Sequence, residues 1–323
     1  MDEKIIKDIK NQYGITCYEI TPINGGWLNQ LYKVFTNQGT LLVKLYSPQR
    51  LWGKKIQNTE AALQRQLLVE KQGVQCLHIY TAGDRCIRIM DDGTMYLIMD
   101  FCEGHNETAE TSSVQQMHSL GSACGAIHKA FATLPVENAY GYPIDANQML
   151  AEIREHNEKS SSQERGNEPE EYWKALQAEG LIVKELSVDF FNSLPKGIAH
   201  EDFTSDNILF QGDQVAAIID FDRNRYSFVW HDVGRALLSF ALEGDIINLQ
   251  KVEAFVKGYN EHLPLSMQNV LDALRISYCI EALWWINPES FAMAYSKASR
   301  FRDETVWIGE HWFELEQILG IKK

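Results

Sequence analysis

His200-Glu201-Asp202-Phe203-Thr204-Ser205-Asp206-Asn207-Ile208-Leu209-Phe210, followed after a polar turn at 211–214 by Val215-Ala216-Ala217-Ile218-Ile219-Asp220-Phe221-Asp222, is the stretch that decides the fold. Its apolar runs at 208–210 and 215–219 flank a Gly-Asp turn and predict a short β-hairpin, with a carboxylate-rich loop before it and carboxylates at its far end. Folding of the hairpin brings the polar ends together, so Asp202, Asn207 and Asp220 are expected to converge on one small volume. Such a donor set suits magnesium ions and the phosphates between them. Hard cations want oxygen ligands, and an Asn carbonyl beside a carboxylate supplies one without excess negative charge.

The rest of the chain bounds this reading. Its 323 residues are enough for about two domains, each able to bury its own core. The formal charge of −14, with no basic run or Lys/Arg stripe, argues against a nucleic-acid or anionic-membrane partner and mildly favours a cationic one. The six cysteines are scattered without a C-x-x-C pair, which fits a reduced, cytoplasmic setting. No apolar run reaches the roughly 18 residues of a membrane span, and the N-terminus opens on charge rather than on a signal core.

The pattern His-x-Asp-x4-Asn followed by Ile-Asp-Phe resembles the catalytic and metal-binding loops of the aminoglycoside phosphotransferase, choline kinase and homoserine kinase group, relatives of the protein kinases. The resemblance implies an α+β, two-lobed protein-kinase-like fold: a small β-rich N-terminal lobe over 1–100, a hinge at about 100–104, and a large helical lobe over 101–323. It implies an ATP- and Mg2+-dependent transfer of the γ-phosphoryl group to a hydroxyl of a small molecule, with the nucleotide between the lobes. Asp202 would align or deprotonate that hydroxyl, and Asn207 and Asp220 would hold magnesium, with Asp222 a further candidate ligand. The sequence departs from the pattern at Glu201, where the family usually has glycine.

Upstream, the order of elements suits the small lobe. A helix is expected over 4–13, strands over 16–23, 30–36 and 41–46, a helix over 53–71, and strands over 77–82, 87–90 and 95–99. Gly25 and Gly26 either simply close a hairpin or cover the nucleotide phosphates with bare backbone amides. Lys44 is either an edge-strand lysine reaching water or, as the resemblance implies, the lysine on the α- and β-phosphates. Glu60 resembles the helix glutamate that pairs with that lysine, with Glu70 as its competitor, and backbone groups around Phe101 and Cys102 would meet an adenine edge.

From 111 onward the period is helical. Helices are expected over 114–131, 148–158, 170–181, 181–194, 246–260, 267–285, 288–298 and 303–318, with 159–169 the segment most prone to disorder. Gly121 and Gly125 would allow close helix packing, and His128 reads as structural. Asp232 is expected to receive backbone amides beneath the catalytic loop, an N-cap being the plain alternative. His200 and His231 lack the further ligands of a zinc site. Tyr278, Glu281, Trp284, Trp285, Trp307 and Trp312 fall where the family builds its acceptor pocket, and an amine-bearing acceptor would suit them, although helical Trp spacing is also ordinary core. Two rivals are a non-catalytic, spore-coat-like member of the fold and a sugar-nucleotide transferase using Asp220-Phe221-Asp222. The second leaves His-x-Asp-x4-Asn unexplained.

Overall fold

The computed structural model describes residues 1–23, 29–49, 51–137, 139–162, 164–293 and 297–321. Backbone contacts divide the chain into two compact units: 1–105 with 208–211 and 215–224, and 106–207 with 212–214 and 225–323.

The first unit is a twisted antiparallel sheet with two helices. Helix α1 (Glu3–Tyr13) is capped by Asp2, whose carboxylate accepts the Lys4 amide, and ends at Gly14 with φ 68°. Strands β1 (Cys17–Ile23), β2 (Gln30–Thr36) and β3 (Gly39–Leu45) form a meander; β6 (Met95–Asp100) adds to β3, and the short β4 (Ile79–Tyr80) and β5 (Arg88–Ile89) both pair with β6. Alternation of burial along β3 decides its faces: Leu41 and Val43 join a cluster with Ile5, Ile9 and Tyr96, while Leu42 packs with a second cluster around Leu63, Leu97 and Met99. Helix α2 (Lys54–Glu70) lies against that second cluster through Leu63 and Leu67. The hairpin β8 (Ile208–Gln211) and β9 (Gln214–Ile218) contributes Leu209, Ala217 and Ile219 to the same cluster. Gly104 runs so close to this hairpin that a Cβ there would sit 2.8 Å from Leu209 Cβ.

The second unit is helical. Helices α3 (Val114–Phe131), α4 (Ala146–Ser161), α5 (Glu170–Glu185) and α6 (Val188–Ser193) precede β7 (Lys196–Ala199), which pairs with β10 (Arg225–Phe228). Helix α7 (Trp230–Ala241) follows, then a two-residue ladder of β11 (Leu242–Glu243) with β12 (Ile246–Ile247). Helices α8 (Leu249–Tyr259), α9 (Met267–Trp285), α10 (Pro288–Ala292), α11 (Lys297–His311) and α12 (Leu315–Ile318) complete it. Helices α3 and α8 touch backbone to backbone, because Gly121 faces the Phe255 carbonyl and Gly258 faces the His118 carbonyl. Among the described residues no helix is long and apolar enough to cross a membrane.

Several expected boundaries move. The helix expected over 181–194 breaks at Leu186, because Ser187 turns its hydroxyl to the Phe190 amide and starts α6 afresh. Residues 246–247 are strand rather than helix, since Asn248 caps α8 two residues later. The serine run expected to be disordered is helical as far as Ser161.

Candidate functional site

Two constellations hold the sequence-predicted site residues, one in each unit. In the first, Lys44 lies on β3 opposite Leu31 of β2 and Leu97 of β6, and its side chain is almost wholly buried. Its Nζ donates to Asp220 Oδ1 and to Asp222 Oδ2, each at 2.8 Å. Burial alone would lower the pKa of this ammonium, but the two carboxylates outweigh it and raise it above the ordinary value. Lys44 therefore stays charged. Tyr46, the residue just after β3 and two beyond Lys44, donates its hydroxyl to Asp222 Oδ1 at 3.1 Å. The two carboxylates are not equivalent: the Asp222 side chain is 7% exposed and that of Asp220 25%. Both carboxylates hold the lysine, Asp222 as the more buried partner and Asp220 as the more exposed one. Asp220 also has φ 60°, in a left-handed turn that sets its side chain apart from the run of β9.

The expected partner of Lys44 is corrected. Glu60 accepts the backbone amides of Cys86 at 2.7 Å and Ile87 at 2.9 Å, together with the Gln64 side chain at 3.0 Å. It organises the approach to β5 and does not hold the lysine, whose ion pairs run to the loop after β9. Glu70, the alternative, is paired with His78 at 2.9 Å. Helix α2 reaches the same loop through a different residue. Arg65 donates to the Asn224 side chain at 2.6 Å and to its carbonyl at 2.9 Å, while Asn224 Nδ2 donates to the Ala62 and Phe221 carbonyls. A bidentate guanidinium contact of this kind fixes orientation as well as distance.

The remaining nucleotide-site expectations divide. Gly25 and Gly26 lie outside the described residues. The Phe101 amide donates to the Thr40 carbonyl at 3.3 Å, and its ring lies 4.3 Å below Lys33 Nζ. Cys102 packs partly buried against the α2 cluster.

In the second unit, the loop from Asp202 to Asn207 is closed on itself. Asn207 Nδ2 donates to the Asp202 carbonyl at 2.9 Å, which commits the amide nitrogen and leaves the carbonyl oxygen as the donor available to a cation. Asp232 holds the loop from beneath: its two oxygens accept the amides of His200 at 2.6 Å and Glu201 at 2.8 Å. The brace implied by the resemblance is present. The N-cap alternative is not, because Val229 occupies that position. His128, read as structural, donates to Asp232 at 3.1 Å and meets the Tyr259 hydroxyl at 2.8 Å. Arg300 of α11 pairs with Asp206 at 3.1 Å.

Glu201 is buried, with φ 69°. Its carboxylate accepts Arg225 at 2.5 Å and His231 at 3.3 Å, and His231 reaches Glu281 at 3.1 Å with its other nitrogen. Glu281 pairs with Arg235 at 2.8 Å and accepts the Trp285 indole at 2.7 Å. Burial works against the charge on each of these groups, yet the partners prevail: Glu201 and Glu281 are carried down to about 2, and His231 is carried up to about 9. Of the aromatics expected near an acceptor, Tyr278, Trp307 and Trp312 are core, and only Trp284 is well exposed.

Each unit carries an oxygen donor of the type that magnesium takes. Among the described residues no three His, Cys, Asp or Glu side chains form a metal cage. Magnesium bound with substrate phosphates needs only one or two protein oxygens; the Asp220 carboxylate in the first unit and the Asn207 carbonyl oxygen in the second are each a donor of that chemistry.

The fold is one found in small-molecule kinases. An aminopropanol kinase associated with a microcompartment superposes with a TM-score of 0.63 at 13% identity, covering 97% of this chain and 98% of its own. Amicoumacin kinase, in complex with AMP-PNP and Ca2+, superposes with a TM-score of 0.62 at 14% identity over 97% of this chain and 94% of its own. Residues 19–265 match the APH phosphotransferase enzyme family, and the chain belongs to it. A homoserine kinase from Mesorhizobium japonicum is 26% identical over 251 residues, 75% of this chain and 71% of that protein. The chain is a phosphotransferase with an alcohol group as acceptor.

Sequence reasoning missed Tyr46, Arg65, Asn224 and Arg235. Only Tyr46 carried a local signal, its i+2 spacing from Lys44 within the strand expected over 41–46. The others depend on which helix face the loop after β9 and the His200–Asn207 loop each meet.

Proposed function

We propose that this protein transfers the γ-phosphoryl group of ATP to the hydroxyl of a small amine-bearing acceptor, with homoserine the first candidate. Asp202 accepts a hydrogen bond from the acceptor hydroxyl and takes its proton as the oxygen attacks the γ-phosphorus. The bond from phosphorus to the β–γ bridging oxygen breaks, and ADP leaves. Lys44, released from part of its pairing with Asp220, donates to the α- and β-phosphates. Asp222 and Tyr46 hold its stem in place. Asn207 and Asp220 would hold Mg2+, which neutralises phosphate charge when bound. Phe101 and Cys102 are proposed to present backbone groups to the adenine. The observation that carries the reading is the closed loop from Asp202 to Asn207, braced through two amides by Asp232. That construction fixes a base and a metal donor relative to one another. Homoserine leads among acceptors because curated relatives of 25–28% identity are homoserine kinases.

The test is magnesium-dependent ADP release from ATP across homoserine, choline, ethanolamine, aminoglycosides and sugars. Release that requires one acceptor and falls about 10²–10⁴-fold in Asp202→Asn is expected. Full turnover in that variant removes Asp202 from its role, and release with sugars alone removes the amine requirement.

A further inference from the structure

Glu201 occupies a backbone conformation that favours glycine. Among the described residues only Glu201 and Asp220 are non-glycine residues at positive φ. An L-residue there is strained because its Cβ crowds the following carbonyl oxygen, so the side chain must return something that a glycine would not. Its two oxygens are both in use. One meets Arg225, and the other begins a line of alternating charge: Glu201 Oε1 to His231 Nδ1 at 3.3 Å, His231 Nε2 to Glu281 Oε1 at 3.1 Å, Glu281 Oε2 to Arg235 Nη1 at 2.8 Å, and Arg235 Nη2 to Asp202 Oδ1 at 3.7 Å. We propose that Glu201, His231, Glu281 and Arg235 form a buried relay that positions the Asp202 carboxylate for attack, and that Glu201 is retained at its strained position because it is the far anchor of that relay.

Three features separate this from ordinary structural pairing. His231 faces a carboxylate with each ring nitrogen, and a neutral imidazole has only one N–H to donate, so the geometry calls for the doubly protonated ring. Arg235 lies with its guanidinium 4.3 Å above the Phe301 ring, and Glu281 is held additionally by the Trp285 indole; both are thereby restricted to one orientation. Finally, the loop backbone is already braced by Asp232 through the amides of His200 and Glu201. The relay reaches the side chain of Asp202, which that brace does not. A buried ion network is weak evidence for stability, since apolar replacements often serve as well; orientation is what it supplies.

The inference rests on Asp202 being the group that meets the acceptor hydroxyl, and the experiment separates the two. Glu201→Gln, His231→Gln, Glu281→Gln and Asp202→Asn are compared in magnesium-dependent ADP release, with homoserine and with water alone as acceptor. Glu281→Gln and His231→Gln are also placed in the Asp202→Asn background. A 1 Å displacement of a catalytic group costs up to about 10²-fold. The relay variants should therefore lose about 10–100-fold in kcat, with the KM for ATP unchanged within about twofold, and should cost nothing further once Asp202 is gone. Wild-type kcat in the relay variants beside a crippled Asp202→Asn overturns the relay and leaves the proposed function standing. An active Asp202→Asn overturns both. A third readout is independent of turnover and of variant folding: nitrogen-detected NMR of wild-type His231 at pH 7.5 should show both ring nitrogens protonated. A neutral ring overturns the relay.

Discussion

Replacing Glu60 by alanine separates a stability role from a nucleotide role, because the two predict opposite phenotypes. Its carboxylate accepts the amides of Cys86 and Ile87, both fully buried residues, and a Gln64 side chain whose amide also donates to the Asp84 carbonyl. Alanine leaves two amides without an acceptor, and a buried unsatisfied donor costs about 1–3 kcal/mol. The expected loss is about 2–4 kcal/mol. Glutamine keeps one carbonyl oxygen and so keeps one of the two amides satisfied, for roughly half that loss. Lys44 is untouched in either variant, since its ammonium is held by Asp220 and Asp222. Urea unfolding should therefore show a lowered midpoint graded Glu60→Ala below Glu60→Gln below wild type. Steady-state kinetics on protein kept well below its midpoint should show kcat and the KM for ATP within about threefold of wild type, against a loss of about 10² or more in Lys44→Met. An unchanged midpoint with a Lys44→Met-like kinetic loss would refute the reasoning and restore Glu60 as the lysine's partner.

A Cβ at Gly258 would lie 1.9 Å from the His118 carbonyl oxygen and 2.7 Å from the Ser122 nitrogen. Backbone cannot yield as a side chain can, so Gly258→Ala should force α3 and α8 apart and cost about 3 kcal/mol, read as a drop in urea midpoint; a midpoint unchanged from wild type would show that the helices are not in contact there. Because the His231 pKa is raised from 6.5 to about 9 on folding, its contribution to stability is fully present below pH 6.5 and is lost as pH rises through 9. The stability difference between wild type and His231→Gln should shrink across that window, and a constant difference would remove the charged imidazole from the account. Burial raises the Glu304 carboxyl to about 7 despite Arg300 and Arg235 beside it, so its contribution is present below about pH 4.5 and declines toward pH 7. Glu304→Gln should gain relative to wild type between those values by up to about 3 kcal/mol, and a variant that loses ground instead would mean the carboxylate is charged and paired.

The elements whose identity depends on neighbours in sequence were legible in the sequence. The Ile208–Gln211 and Gln214–Ile218 hairpin follows from two apolar runs about a Gly-Asp turn, and the β1–β2–β3 meander from alternation between glycine turns. Helices α3 and α9 begin at Ser113 and Ser266, each a capping box formed with the residue three positions on, and both were readable at those lengths from their apolar period. The His200 to Asn207 loop was legible for the same local reason: its carboxylate, amide and spacing lie within eight residues. What the tertiary structure alone decided is the set of charge partners. Glu60 has helix period and sign in its favour as a partner for Lys44, but which side of α2 faces the lysine depends on how the helix rolls over the Leu63, Leu97 and Met99 cluster. With that roll, Arg65 is turned toward Asn224 and Glu60 toward the Cys86 amide. Likewise nothing local links Glu201 to His231, Glu281 and Arg235, which are brought together by the packing of α7 on α9. A charge's partner is set by distances of a few ångströms between elements far apart in the chain, and pattern within a segment carries no information about those distances.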